Sequence, residues 1–168
     1  MDYRWHYVSP LGGITLASDG AALTGLWFDG QKHFPSVLVR EQKPLPVFEE
    51  AVKWLDLYFS GKAPGFTPKL SLRSTPFREA VWEMLRSIPF GKTVTYGEIA
   101  ARLAGERGLV KSSARAVGGA VGHNPISLII PCHRVVGAGG RLTGYAGGIE
   151  KKRFLLSLEG VKNASCSM

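Results

Sequence analysis

Cysteine is scarce in this chain: there are two among 168 residues, and one of them, Cys166, belongs to the last three. Two thiols placed so cannot build a disulfide framework. A structural zinc site is equally unsupported, since there is no C-x2-C pair and the four histidines stand apart at positions 6, 33, 123 and 133. No window approaches the roughly 18 consecutive apolar residues of a membrane-crossing helix. The opening Met1-Asp2-Tyr3-Arg4-Trp5-His6 lacks the apolar run of a secretory signal. A cytoplasmic protein is therefore expected, and Asn163-Ala164-Ser165 is a glycosylation sequon by spelling only. No motif asks for a metal or a cofactor, and Cys132 is expected to act as a free thiol.

What is present is an ordinary globular composition, 45% hydrophobic and 20% charged, with length for one medium domain or two small ones. The charge is unevenly placed. Residues 1–74 hold 8 Lys+Arg against 7 Asp+Glu, whereas residues 75–168 hold 13 against 6, so the basic excess lies almost wholly in the second half. Such an excess suits a polyanionic partner, nucleic acid first, although a solvated basic face is the plain alternative.

The first half reads as strands followed by a helix. Tyr3, Trp5 and Tyr7 alternate with polar residues, Leu11-Gly12-Gly13 turns, and Ile14-Thr15-Leu16 and the run from Leu23 to Phe28 are rich in strand formers. Residues 29–46, with Pro35, Pro44 and Pro46, read as loop. Apolar spacing at Val47/Phe48, Ala51/Val52, Leu55 and Tyr58/Phe59 predicts a helix over about 47–59. Two Gly and two Pro among residues 61–68 mark a linker, with a domain boundary between about 70 and 75.

The second half reads as mostly helical. Thr75 can cap and Pro76 suits the first helical position, ahead of an apolar stripe from Phe77 to Ile88 that Pro89-Phe90-Gly91 stops. Thr95-x-x-Glu98 is a capping box opening a short helix through about Leu103. After a loop containing Gly105 and Gly108, residues 112–120 predict a helix of small residues able to approach another backbone closely. Two short helices in a basic half have the layout of a helix-turn-helix, which is also common in plain bundles. Residues 127–130 read as a short buried strand or extended run ended by Pro131, 137–148 as a glycine-rich loop, and about 149–158 as the last helix.

The chemistry concentrates at Pro131-Cys132-His133-Arg134. A thiol is a poor nucleophile at neutral pH until its pKa falls, and a neighbouring His, Arg or helix terminus can lower it. Adjacency in sequence does not prove contact. Yet Cys132 follows an apolar run through a rigid proline and precedes a glycine-rich loop that would let a ligand approach. Glu159 reads equally as a helix-terminal surface carboxylate, Arg115 as one exposed cation, Asn124 as a turn residue and Tyr145 as loop packing. His123 is expected at the surface.

Pro131-Cys132-His133-Arg134-Val135 resembles the active-site signature of the O6-alkylguanine-DNA alkyltransferases. Arg115-Ala116-Val117-Gly118-Gly119-Ala120, Asn124-Pro125, Thr143-Gly144-Tyr145-Ala146-Gly147-Gly148 and Leu155-Leu156-x-x-Glu159-Gly160 follow in that family's order. Phe77 to Gly91 and Thr93-x-x-Tyr96 are similar to its domain opening. The resemblance is dense over about residues 75–160. It implies an α+β protein: a small α/β, ribonuclease-H-like domain over 1–74 (antiparallel sheet plus helix), then a mostly helical, helix-turn-helix-containing domain over 75–168.

The resemblance further implies DNA repair by single-turnover alkyl transfer. Cys132 would accept the alkyl group, His133 would serve as base through a water, and Glu159 would orient the imidazole. Asn124 would tie the helix pair to the active-site segment, and Tyr96 would crowd the backbone phosphate and bond the leaving guanine. Arg115 would fill the gap left by a flipped base, with Gly97 and Ala138 also on the DNA, while Val135, Tyr145 and Ala146 would line the pocket. The implied partner is double-stranded DNA carrying O6-alkylguanine, with O4-alkylthymine a further candidate, acting on a monomer without cofactor or metal. A non-enzymatic lesion-binding protein on the same scaffold and a helix-turn-helix regulator are the alternatives. Two departures stand out: the connection at 105–111 is longer than the family's and lacks its proline, and Ala146 replaces a hydroxyl residue of some relatives.

Overall fold

A hairpin begins the fold. Strand β1 (Tyr3–Ser9) runs antiparallel to β2 (Gly12–Ser18), from Tyr3 opposite Ser18 to Ser9 opposite Gly12, and β2 pairs with β3 (Leu23–Phe28). The turn between the first two strands places Gly12 at φ +102°, where a side chain would be strained. Within this computed structural model, residues 2–35, 41–107 and 113–162 are described. Residues 29–46 are expected to be loop throughout, but a two-residue strand β4 (Glu41–Gln42) adds to β1 in parallel and gives the order β3-β2-β1-β4.

Helix α1 (Pro46–Phe59) buries Val47, Phe48, Ala51, Trp54, Leu55 and Tyr58, the stripe that three- and four-residue spacing requires. Its first turn has no side-chain cap, and Pro46 at the start removes one amide that would otherwise lack a partner. The alternating aromatics of β1 meet this helix: Trp5 stacks on Phe48 and Tyr7 on Phe59, both at 6.5 Å between ring centroids. Ile14, Leu16, Leu23, Leu26 and Phe28 complete the core.

The outer edge of β3 is covered by two passing segments. Leu23 donates to the Lys69 carbonyl at 2.8 Å and accepts from Ser71 at 2.9 Å; further along, Leu26 donates to Pro125 at 2.8 Å and accepts from Ser127 at 2.9 Å. Covering an edge in this way removes a row of open amides and carbonyls. The chain accordingly divides into a first unit, Met1–Leu72 with Pro125–Ile129, and a second, Arg73–Asn124 with Ile130–Met168. The sequence boundary between 70 and 75 falls at this division, but a single cut misses the return of 125–129 to the first unit.

Residues 127–130 do not form the expected strand. Only an isolated bridge joins Ile126 to Leu26, after which Leu128 takes φ +71° and Ile129 donates to the Ser127 carbonyl at 2.8 Å, a tight turn. Pro125 and Pro131 bracket the segment and supply no amides, so a continuous ladder cannot extend through it.

The second unit is helical. Helix α2 (Pro76–Arg86) begins where Thr75 Oγ1 accepts from the Arg78 amide at 3.2 Å. The capping box also forms: the Glu98 amide donates to Thr95 Oγ1 at 3.1 Å and the Thr95 amide to Glu98 Oε2 at 3.3 Å. Helix α3 (Tyr96–Arg107) runs four residues past the expected end at Leu103 and includes Gly105. Gly costs only about 1 kcal/mol in a helix, and Arg102, Ala104 and Glu106 favour continuation. The rest of the long connection, 108–112, lies outside the described residues.

Helix α4 (Ala114–Gly122) is capped by Ser113, whose side chain accepts from the Ala116 amide. The indole of Trp82 in α2 donates to the Ala120 carbonyl of α4 at 2.8 Å. Strands β5 (Val94–Thr95) and β6 (Val135–Val136) pair in parallel, and α5 (Ile149–Leu158) closes the described chain. The architecture is α+β: a mainly antiparallel sheet with one helix, then a helical unit. No helix among the described residues is long and apolar enough to cross a membrane.

Candidate functional site

Cys132–Arg134 form a single 3-10 turn directly after Pro131, and β6 follows. Pairing of Val94 with Val135 and of Thr95 with Val136 sets this turn beside the start of α3, where Tyr96 lies. Asn124, just past α4, donates from Nδ2 to the Ile130 carbonyl at 2.7 Å. That bond clips together the two points where the chain leaves the second unit and returns to it.

Glu159 caps the end of α5 and is 6% exposed, so the surface-carboxylate reading fails. Its Oε2 meets His133 Nε2 at 2.5 Å, and its Oε1 accepts from Arg134 Nε at 2.7 Å and from the Gly91 amide at 2.9 Å. Gly91 has to be glycine here: its φ is +80°, and a Cβ would come within 3.0 Å of the Glu159 carbonyl oxygen. Arg134 in turn donates from Nη1 to the Ile88 carbonyl at 2.7 Å and lies over the Phe90 ring. One carboxylate thus ties the end of α2, the 89–91 turn, the cysteine turn and α5 into a buried network.

Charge states follow from these partners. Burial alone would raise the Glu159 carboxyl, but hydrogen bonding and charge from His133 and then Arg134 outweigh it and bring the pKa to about 2. Glu159 is therefore ionised and can only accept. His133 is fully buried, and burial lowers its pKa against the opposing pull of Glu159. At neutral pH the ring is neutral, Nε2–H donates to the carboxylate, and Nδ1 is the basic nitrogen.

The thiol departs from expectation. Neighbouring cations were expected to lower its pKa, yet Cys132 is 4% exposed and burial, the largest influence, raises it. Hydrogen bonding from Asn124 and Tyr145 and the charge of Lys152 pull the other way. Desolvation acts on the whole thiolate, whereas the nearest sequence cation, Arg134, is already engaged by Glu159.

The predicted residues thus fall into two groups. Cys132, His133, Glu159, Asn124, Tyr96, Tyr145 and Val135 gather in or against the buried network. Tyr96 is half-buried with its hydroxyl raised by burial, and its ring packs beside Gly118 of α4. Arg115, Gly97 and Ala138 lie instead on the surface of the unit, at the start of α4, in the first turn of α3 and at the head of a short 3-10 turn (Ala138–Gly140). Ala146 is half-buried in the glycine-rich loop, and His123 is exposed as expected.

Sequence reasoning missed the roles of Gly91, Arg134 and Lys152. Lys152 sits in a Lys151-Lys152-Arg153 run that looks like a solvated face. Its position three residues after Ile149 and three before Leu155 put it on the inward stripe, and that was the available signal.

Comparison with known proteins agrees with this geometry. Residues 3–72 match the family described as 6-O-methylguanine DNA methyltransferase, ribonuclease-like domain, and residues 76–161 match its DNA binding domain. The chain belongs to the 6-O-methylguanine DNA methyltransferase family. The methylated-DNA–protein-cysteine methyltransferase of Mycobacterium tuberculosis strain H37Rv is 48% identical over 151 residues, 90% of this chain and 88% of that protein. Its counterpart in Haemophilus influenzae is 42% identical over 158 residues, covering 94% and 86%. The crystal structure of Mycobacterium tuberculosis OGT in complex with DNA superposes with a TM-score of 0.85 at 46% identity, covering 94% of this chain and 93% of that one.

Proposed function

We propose that Cys132 is the acceptor in a DNA-repair reaction that moves an alkyl group from O6 of guanine in duplex DNA onto the protein. The chain's activity is that of a methylated-DNA–protein-cysteine S-methyltransferase, with DNA as partner. The observation that carries the residue assignment is the buried cluster: a free, buried thiol one residue before an imidazole whose Nε2 is fixed at 2.5 Å on an ionised carboxylate. That is the order of nucleophile, base and orienter.

The thiol proton passes through a water to His133 Nδ1, and the imidazolium formed is stabilised by Glu159. The sulfur pair forms an S–C bond as the C–O6 bond breaks, and its electrons remain on the purine, which then takes up a proton. A thioether has no good leaving group, so Cys132 is consumed and each molecule reacts once. The thiolate does the displacement, and no cofactor or metal enters.

The base must be extracted from the stack before O6 can reach a buried sulfur, at a cost of roughly a few kcal/mol. Arg115, exposed at the start of α4, suits the gap left behind. Tyr96, Gly97 and Ala138 suit the DNA backbone, and Val135, Tyr145 and Ala146 the pocket for the flipped base. Asn124 keeps the cysteine turn in place. With Ala146 in the loop, no side-chain hydroxyl at that position bonds the lesion oxygen. Residues 3–72 act as the ribonuclease-like domain and 76–161 as the DNA-binding and acceptor domain, in a monomer that works on the chromosome in the cytoplasm.

Intact mass after incubation with an O6-methylguanine duplex tests the reading. One methyl group should be added, once, and its site should map to Cys132. A protein that restores guanine without gaining mass, or gains it elsewhere, refutes the assignment.

A further inference from the structure

Thr143 opens the loop that holds Tyr145 and Ala146, and none of the steps above uses its hydroxyl. Oγ1 is enclosed, and among the described residues no group stands in hydrogen-bonding geometry to it. An unbonded buried hydroxyl costs stability, and a fold keeps one where a ligand completes its bonding. The rest of the residue is firmly held. Its carbonyl accepts from Lys152 Nζ at 3.1 Å, and that ammonium stands 5.9 Å from the centroid of the Tyr96 ring. Its methyl packs against Gly137, where a Cβ would come within 3.0 Å of Cγ2. Pairing of Thr95 with Val136 brings Tyr96 and Gly137 out of β5 and β6 side by side, so Thr143 meets both at the end of the strands that follow the cysteine turn. A β-branched side chain pinned by its methyl has little χ1 freedom, and the hydroxyl is held beside the Tyr96 phenol. Burial raises that phenol, and the Thr143 side chain opposes the rise.

We propose that the Thr143 hydroxyl donates a hydrogen bond to O6 of the flipped guanine, a substrate contact that strengthens as the C–O6 bond breaks. The proposal rests on the alkyl-acceptor reading above. The carbon attacked by sulfur is bonded to O6, so whatever brings that carbon to Cys132 also brings O6 against the residues around the cysteine turn. Ala146, three residues further along the same loop, has no hydroxyl to offer. As the S–C bond forms and the C–O6 bond breaks, the bonding pair stays on O6 and the purine, and a donor already aimed at O6 stabilises that charge without reorganising. The purine then takes its proton from the imidazolium, and Thr143 keeps its own throughout.

The test uses the full-length protein. Single-turnover transfer from a saturating O6-methylguanine duplex is timed for wild type, Thr143→Val and Thr143→Ser, and duplex affinity is read by fluorescence anisotropy. The Val variant exchanges the hydroxyl for a methyl of similar size. It should transfer about tenfold more slowly, with duplex affinity within a few-fold and most of the rate restored in the Ser variant. Because the hydroxyl is unbonded in the free protein, the Val variant should melt at or above the wild-type temperature. Carbamidomethylation of Cys132 by iodoacetamide should run equally fast in both, since the nucleophile is unchanged. A Val variant that transfers at the wild-type rate overturns the proposal. So does one that melts well below wild type or fails to fold, because the hydroxyl would then be bonded within the protein. A loss shared by the iodoacetamide reaction, a loss confined to duplex affinity, or one that Ser does not repair overturns it as well. A wild type that takes no methyl group from the duplex refutes the acceptor reading, whereas a Val variant as fast as an active wild type refutes only the contact at Thr143.

Discussion

Replacing Glu159 by Gln removes one charge from the centre of the buried network and little volume. The carboxylate accepts from His133, Arg134 and the Gly91 amide. An amide has one oxygen, so its NH2 must face one of these donors, and Arg134 is left as a buried cation without its anion. The pKa gives the scale. A fall from 4.5 to about 2 corresponds to roughly 3 kcal/mol of folded-state stabilisation of the ionised form. Because the folded pKa is depressed, this contribution is present above the unfolded value and is lost as pH falls from about 4.5 through about 2. At neutral pH the Gln variant should therefore melt about 6–12 °C lower, at roughly 2–4 °C per kcal/mol for a chain of this size. Below about pH 2 the two proteins should converge.

Stability alone does not separate a structural Glu159 from a mechanistic one, but the rate does. Without the anion the His133 tautomer is no longer fixed and the imidazolium loses its support, which should slow transfer at neutral pH by more than about tenfold. The rate should recover as the thiol ionises unaided. Since burial holds the Cys132 pKa above its ordinary value, that recovery belongs at the alkaline end of the range. Single-turnover transfer from O6-methylguanine DNA between about pH 6 and 9.5, run below both melting temperatures, reads this directly. A Gln variant that melts lower but whose pH–rate profile overlays the wild type would falsify the orienting role.

Cys132→Ala should abolish transfer and leave DNA affinity within a few-fold, measured by fluorescence anisotropy, because binding rests on the basic second half. Arg115→Ala should slow repair in duplex DNA much more than reaction with the free base O6-benzylguanine, provided the pocket admits benzyl, since only a duplex has a gap to fill; equal losses would assign Arg115 to the fold. Asn124→Ala deletes one of two bonds to the buried Ile130 carbonyl, which keeps the Cys132 amide, so a loss of about 1 kcal/mol in chemical denaturation is expected, with a raised thiol pKa. Thr75→Ala removes the α2 cap and should cost about 1 kcal/mol with no change in transfer rate.

Local signals were legible wherever local physics decides the outcome. The Thr75 cap, the Thr95/Glu98 capping box and the span of α5 are set by residues within one or two turns, and each was read from sequence. The extension of α3 through Gly105 was not, because one glycine is outweighed by Arg102, Ala104 and Glu106, nor was the turn at 127–130, where bonding to β3 and the flanking prolines set the backbone. Apolarity of Leu128, Ile129 and Ile130 announced burial correctly and strand wrongly; a buried turn between two prolines has the same composition. In the site, the motif named Cys132, His133 and Glu159, but Gly91 and Arg134 contribute through a backbone amide and a carbonyl contact that no side-chain pattern records.

The raised thiol changes how the nucleophile should be understood. An exposed cysteine with a depressed pKa reacts with any electrophile it meets. A protein that is spent in one turnover cannot tolerate such loss. Burial leaves Cys132 4% exposed and raises its thiol, while His133, with Nε2 anchored on Glu159, keeps a basic ring nitrogen. On the proposed acceptor reading, ionisation belongs to the moment an alkylated base fills the pocket and the proton, the carbon and the leaving oxygen can all move together. The desolvation that raises the resting pKa also strengthens every fixed charge and dipole around the sulfur once the charge starts to form. On the same reading, burial would disfavour reaction with small diffusing electrophiles in water and favour a substrate that binds tightly enough to enter.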